Sequence, residues 1–176
     1  MVKFILLALA LNCLGLSSVN AQQGTGTPDL ATVADAKAWR VFHATAESLE
    51  MDGKRTVRLT AEGDSANGVV GLALPVGYSL ATGAIEVDLK GKNARQASFL
   101  GVAFNVSDEK TFEAIYFRPF NFRADEPMRN RAVQYIAWPE YTWEKLRKGM
   151  PGQFEKSVSP VPDPDAWFHA RIEVTD

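Results

Sequence analysis

Three groups of side chains in this sequence are of kinds that do chemistry. Carboxylates form the first: Glu86 and Asp88 stand two apart in Ile85-Glu86-Val87-Asp88-Leu89, and Glu113 follows in Phe112-Glu113-Ala114. Two carboxyls held about one bond can divide the work of acid and base. The second group mixes amide, phenol, imidazole and guanidinium: Asn105, Tyr116, Arg118 and Gln134, with His169 and Arg171 on the last apolar run. An aromatic plate beside planar hydrogen-bonding groups suits a neutral ligand rich in hydroxyls. The third is Trp138, Tyr141 and Trp143. Exposed, they would be a stacking platform; the expectation is that they plug one end of a core.

Other chemistries lack their residues. His43 and His169 are the only histidines and make no zinc signature. Asp108, Glu109, Asp125 and Glu126 fall in loops, where calcium is the one ion they suggest; scattered carboxylates are normally just solvated, so no cofactor is expected. No Ser-His-Asp pattern, phosphate loop or dinucleotide motif occurs. The 19 basic and 21 acidic side chains give a net charge of −2, with no dense run of Lys and Arg. That excludes nucleic acid as a partner class and points to a neutral one.

The elements that position these residues begin after an export signal. Lys3 supplies a positive charge, an apolar stretch runs from Phe4 into Leu16, and Val19-Asn20-Ala21 ends in small and neutral residues. This is the layout of a cleavable signal peptide over residues 1–21, cut after Ala21. Its apolar core is shorter than the ~20 residues a membrane span needs. Cys13 raises a lipid anchor, but Asn12 stands where a small residue belongs and apolar residues follow, so no membrane anchor is expected after cleavage. With the signal goes the one cysteine, leaving a secreted or periplasmic domain held by its core alone. Residues 22–37 read as a flexible leader and residues 38–176 as one domain.

Within that domain, short β-rich runs at 39–43, 56–59, 69–74, 84–89, 99–106, 112–117, 133–138 and 167–174 are separated by turn residues such as Asp52-Gly53, Gly63-Asp64 and Gly91-Lys92-Asn93. Even spacing of this kind predicts a sandwich or a barrel, and strands buried on one side only fit an antiparallel β-sandwich of two sheets packed face to face. Alternation assigns the faces: Ile85, Val87 and Leu89 lie opposite Glu86 and Asp88, and Leu100, Val102, Phe104 and Val106 lie opposite Gly101, Ala103 and Asn105. Asn105, Tyr116 and Arg118 can share a face, with Gly101 and Ala103 leaving room above the backbone and Gln134, His169 and Arg171 joining from neighbours. The competing expectation is a structural polar cluster in which Arg118 ties down the loop at 119–123. From 118 to 164 the rhythm breaks, and Thr142-Trp143-Glu144-Lys145-Leu146-Arg147-Lys148 predicts one short helix in a long insertion. The final run stops at Val174-Thr175-Asp176 without a turn, so a sheet edge is expected to lie open, as though the last strands were missing.

The runs Ala114-Ile115-Tyr116-Phe117-Arg118-Pro119-Phe120-Asn121-Phe122, Ala132-Val133-Gln134-Tyr135-Ile136 and Trp167-Phe168-His169-Ala170-Arg171 resemble exported bacterial domains of the concanavalin A-like lectin/glucanase superfamily. Within it they look like the group termed 3-keto-disaccharide hydrolase-like or family 16 glycoside hydrolase-like. The similarity runs from about Trp39 to Val174. It implies a jelly-roll sandwich whose concave sheet holds carbohydrate, and a chain that normally continues with a hairpin and a last strand. The family 16 enzymes carry Glu-x-Asp-x-x-Glu on one strand. Here Glu86-Val87-Asp88-Leu89-Lys90-Gly91 keeps the first two carboxylates and has Gly91 in place of the third. Retaining hydrolysis needs carboxyls about 5–5.5 Å apart, and residues two apart on a strand are roughly 6–7 Å apart at the backbone; the spacing permits it, but the motif is broken. The expectation is therefore an exported saccharide-binding domain, with a glycoside hydrolase as the alternative and a protein-interaction module pairing through its open edge as another.

Overall fold

The computed structural model describes residues 4–8, 26–63 and 69–175. It is an all-β sandwich with one short helix. In chain order the strands are β1 (Phe4–Ala8), β2 (Trp39–Phe42), β3 (Ala44–Met51), β4 (Lys54–Ala61), β5 (Gly71–Pro75), β6 (Gly83–Lys90), β7 (Phe99–Asp108), β8 (Thr111–Phe117) and β9 (Val133–Trp138). The helix α1 (Trp143–Gly149), the two-residue β10 (Glu155–Lys156) and β11 (Trp167–Val174) complete the order. No helix among the described residues is long and apolar enough to cross a membrane.

One layer is a seven-stranded sheet in the order β10-β9-β8-β7-β1-β5-β2. One of its inner strands is unexpected. Phe4–Ala8, the start of the apolar run assigned to the signal, pairs in parallel with both β5 and β7. The remainder of residues 1–21, with the expected cleavage point, lies outside the described residues.

Two antiparallel strand pairs make the second layer, one a hairpin and the other formed by strands distant in sequence. β3 and β4 pair along their whole length around Asp52-Gly53, both at positive φ (53° and 73°), which is the two-residue turn that right-twisted strands favour. β6 and β11 pair from Gly83↔Val174 to Lys90↔Trp167. Each pair covers one half of the large sheet. Leu59, Val57 and Ala46 meet Trp39, Val41 and Ala73 on the β2–β5 side. Ile85, Ile172, Leu89 and Ala170 meet Val102, Ile115, Leu100 and Phe117 on the β7–β8 side. Each large apolar side chain so covered contributes roughly 1.5–3 kcal/mol.

The other face of the large sheet is capped by the insertion. Thr142 accepts the Lys145 amide at the N-terminus of α1, Glu144 sits in its first turn and Arg147 and Lys148 in its last, complementing the helix dipole at both ends. Trp143, Leu146 and Met150 fall on one stripe of the helix and pack with Phe99, Phe112, Tyr116 and Ile136. Trp138 and Trp143 thus do plug the core, while Tyr141 is left 53% exposed. The expected flexible leader is not loose from Gly26 onward. Asp29 caps a short 3-10 turn at Leu30–Thr32, Val33 is buried against Trp39 and Leu59, and the Trp39 indole donates to Thr32 Oγ1 at 3.1 Å.

Candidate functional site

The strands that carry the candidate residues set them in two places of opposite character. Register puts Gly101 opposite Tyr116, and Tyr116 opposite Gln134, so these share the face beneath α1. Arg118 reaches back to the same spot: its guanidinium donates to the Tyr116 hydroxyl, to the Arg131 carbonyl at 2.8 Å and to Gln134 Oε1 at 3.5 Å. The amide of Gln134 donates to the carbonyls of Tyr135 and Phe154, and Asn121 donates to the Arg131 carbonyl. Sequence alternation therefore brings Tyr116, Arg118 and Gln134 together as expected. The fold then closes the face over them, leaving Tyr116 and Gln134 1% exposed and Arg118 6%. Burial pushes the Tyr116 phenol up to about 12 and draws the Arg118 guanidinium down, since leaving water penalises whichever form is charged. Nor is there room above Gly101. A methyl group there would lie 2.1 Å from the Ile115 carbonyl oxygen and 2.5 Å from Tyr116 Cα, so the β8 backbone fills that space. The arrangement is that of the structural cluster, with Arg118 fastening the 119–131 loop.

Asn105 is placed apart from these three. A bulge breaks the β7–β8 register between Phe104 and Asp108, and Asn105, at a φ of 50°, lies within it. Its amide donates to Glu113 Oε1 at 2.8 Å, while the Tyr135 hydroxyl donates to Glu113 Oε2 at 2.7 Å. Both oxygens of Glu113 are thereby engaged. Burial, then the neighbouring carboxylate, raises the Tyr135 phenol.

The remaining candidates lie on the outward side of the β6–β11 pair, where cross-strand neighbours pair by charge. Arg171 faces Glu86 at 2.6 Å and also bonds Glu173; His169 Nδ1 lies 3.0 Å from Asp88 Oδ1. Lys54, at the start of β4, reaches the other Asp88 oxygen at 2.7 Å, and Lys90 reaches Asp52 at 2.6 Å. These two bridges tie the two strand pairs together at one end. The hydrogen bond from Lys54, then that from His169, holds the Asp88 carboxyl below its ordinary range; Lys90 and Trp167 do the same for Asp52.

Away from those bridges β4 and β6 separate, and the gap is a cleft of about 920 Å³. Leu59, Leu89, Leu100 and Val102 line its depth; Lys54, Arg58, Glu86, Asp88 and His169 line its mouth. Trp167 stands at the tied end, half-buried, its indole donating to Asp52 Oδ2 at 2.9 Å, with the ammonium groups of Lys54 and Lys90 5.5 and 5.8 Å from its ring centre. An apolar cleft of this size with a few fixed polar groups is the usual form of a small-molecule site. Trp167 and Lys54 escaped the sequence reading as site residues. The signal available was the Asp52-Gly53 turn, which puts Lys54 at a hairpin tip, and the pairing of Trp167 with Lys90 across β6.

The three candidate carboxylates are each engaged by neighbours. Glu86 and Asp88 are in ion pairs, Asp88 is biased toward the ionised form, and Glu113 belongs to the Asn105–Tyr135 group. Asp108 accepts the Lys110 amide and Glu126 pairs with Arg129; among the described residues no three His, Cys, Asp or Glu side chains gather as a metal site. Compared with protein-family models, curated proteins and solved structures, the chain matches none.

Proposed function

We propose that this protein is an exported saccharide-binding domain whose ligand lies in the cleft between β4 and β6, with Trp167 as its aromatic plate. The observation that carries this reading is the cleft itself, with apolar depth and a rim of hydrogen-bonding side chains already held in place by one another. Preformed polar groups cost little ordering on binding. Of the charged groups lining it, Lys54, Lys90 and Arg58 are already paired with Asp88, Asp52 and Glu47, and Glu86 with Arg171, which favours a neutral, hydroxyl-bearing ligand, while Arg55 and Lys92 tilt the lining toward positive charge. Export, and the resemblance to concanavalin A-like domains, support the same class of ligand. The resemblance alone would direct attention to Tyr116 and Arg118, and their burial is the reason for placing the ligand elsewhere.

Screening the protein against an array of neutral glycans tests this, each hit then being incubated with the protein and examined for cleavage. Binding without cleavage, weakened about tenfold or more by Trp167→Ala, is the expected result; loss of one stacked aromatic is worth about 1.4 kcal/mol or more. Binding that ignores Trp167→Ala and disappears with Tyr116→Phe would move the site back to the covered face.

A further inference from the structure

Among the described strands, β1 alone joins the two parts of the large sheet. On one side stand β2 and β5, on the other β7 to β10, and Phe4–Ala8 pairs with both flanks: Ile5, Leu6 and Leu7 with Gly71, Leu72 and Ala73, and Phe4 through Ala8 with Phe99 through Ala103. Its neighbours on both sides are sealed. Leu72, Ala73 and Ala103 have no measurable exposure and Val102 has 2%. Between such neighbours the backbone of β1 is paired along both edges, and its sequence, Phe-Ile-Leu-Leu-Ala, is the continuous apolar run usual for inner parallel strands.

The segment that fills this place is also the one whose sequence marks it for removal. We infer that the gap between β5 and β7 is a strand-acceptor site: with Phe4–Ala8 gone, it takes an extended, apolar segment of another polypeptide, entering parallel to β5 and β7. Loss of β1 bares the inward backbone edges of both flanking strands, and unpaired backbone groups in an apolar setting are costly enough to demand a partner. Recognition would come from backbone hydrogen bonds in a fixed direction, with side-chain selection limited to apolar groups. The site borders the saccharide cleft, whose lining includes Leu100–Val102 of β7, but it uses the backbone edge of that strand, so peptide uptake and glycan binding are read separately and either reading can fail alone.

The test uses the full chain with a protease sequence inserted after Ala21, folded first and then cut. A labelled synthetic peptide of residues 2–11 is added in excess in sub-denaturing urea, and the mixture is returned to buffer and separated by size. The expected result is that cut protein either keeps its own leader fragment or exchanges it for the labelled peptide, while uncut protein takes up none. A Leu6→Pro peptide should be taken up about tenfold less or worse, since proline removes a ladder donor worth ~1.4 kcal/mol with its desolvation. Amide hydrogen exchange supplies the second measurement: β5 and β7 should lose protection only where the slot is empty. The inference is overturned if the fragment leaves and no peptide replaces it. It is overturned equally if the Leu6→Pro peptide enters as well as the native one, or if uncut protein takes up peptide to the same extent.

Discussion

Two arginine–glutamate pairs in this molecule meet at the same distance in opposite surroundings. Arg147 holds Glu155 through 2.6 and 3.0 Å contacts beside α1, where the glutamate side chain is 9% exposed. Arg171 holds Glu86 at 2.6 Å on the outer side of β6 and β11, where both side chains are about half exposed. The first pair stands with Arg131 at 3.6 Å and near Arg118, so one carboxylate answers several guanidinium groups with little water to help. The second is bathed in solvent. Contact geometry is therefore a poor guide to what a polar cluster does. Covered, such a cluster pins a loop and cannot be spared; exposed, it leaves its groups free to exchange partners with a ligand. Local dielectric separates the two.

The contrast is sharpened most by changing the covered face where it is tightest. Gly101→Ala should destabilise the protein by about 4 kcal/mol, because the new methyl meets β8 backbone that has no rotamer to change. Chemical denaturation reads this directly, and a loss under 1 kcal/mol would mean that β7 and β8 can separate over Tyr116. Next comes Glu155→Gln, expected to cost about 3 kcal/mol by stranding Arg147 and Arg131 without their carboxylate. Arg118→Met follows at about 2 kcal/mol, since its aliphatic stem is retained while the Arg131 carbonyl and Tyr116 hydroxyl lose a donor. If Arg118→Met proved neutral, the loop at 119–131 would be held by something other than this guanidinium.

Much of the strand plan was readable from residue types, and the exceptions have physical causes. Each of the eight expected runs meets a strand, with His43 and Val69–Val70 falling just outside, because alternation at Ile85–Leu89 or Leu100–Phe104 is imposed by burying one face. β3 escaped because Ala44–Met51 is nowhere fully buried, so its alternation carries little contrast. β1 lies within the run assigned to the signal, because the apolar core of a signal and an inner parallel strand ask for the same composition. The candidate site was half legible. Alternation puts Tyr116 and Gln134 on one face, but it cannot tell whether that face is open. The covering element was itself visible as Trp143, Leu146 and Met150, an apolar stripe that had to lie on something. The cleft was not legible at all, since it lies between the β3–β4 hairpin and the β6–β11 pair, and no local pattern records that.

On the exposed side the effects should be smaller and should follow charge. Asp52 and Asp88 have native acidities stronger than the ordinary aspartate value of 3.8, so the unfolded chain binds protons more readily than the folded one. Their contribution is present above pH 3.8 and is lost as pH falls through the lowered native values. The bridges Lys54–Asp88 and Lys90–Asp52 should therefore open only below about pH 4, and amide exchange at the Asp52-Gly53 turn would report it. Replacing Asp88 with Asn should flatten that response, whereas an unchanged profile would assign it to other carboxylates.

The smallest expected effect is the most direct check on the comparison. Glu86→Gln removes the carboxylate that Arg171 meets at 2.6 Å, as close as the contact in the covered pair. Arg171 keeps Glu173 at 3.0 Å and open water, so no charge is stranded and the denaturation midpoint should not move measurably. Raising the salt concentration should make no difference either, because the pair is already well screened. A loss matching that of Glu155→Gln would mean the outer side of β6 and β11 is covered in solution, and the search would turn to what lies on it. A neutral result leaves Glu86 free to turn toward whatever enters the cleft.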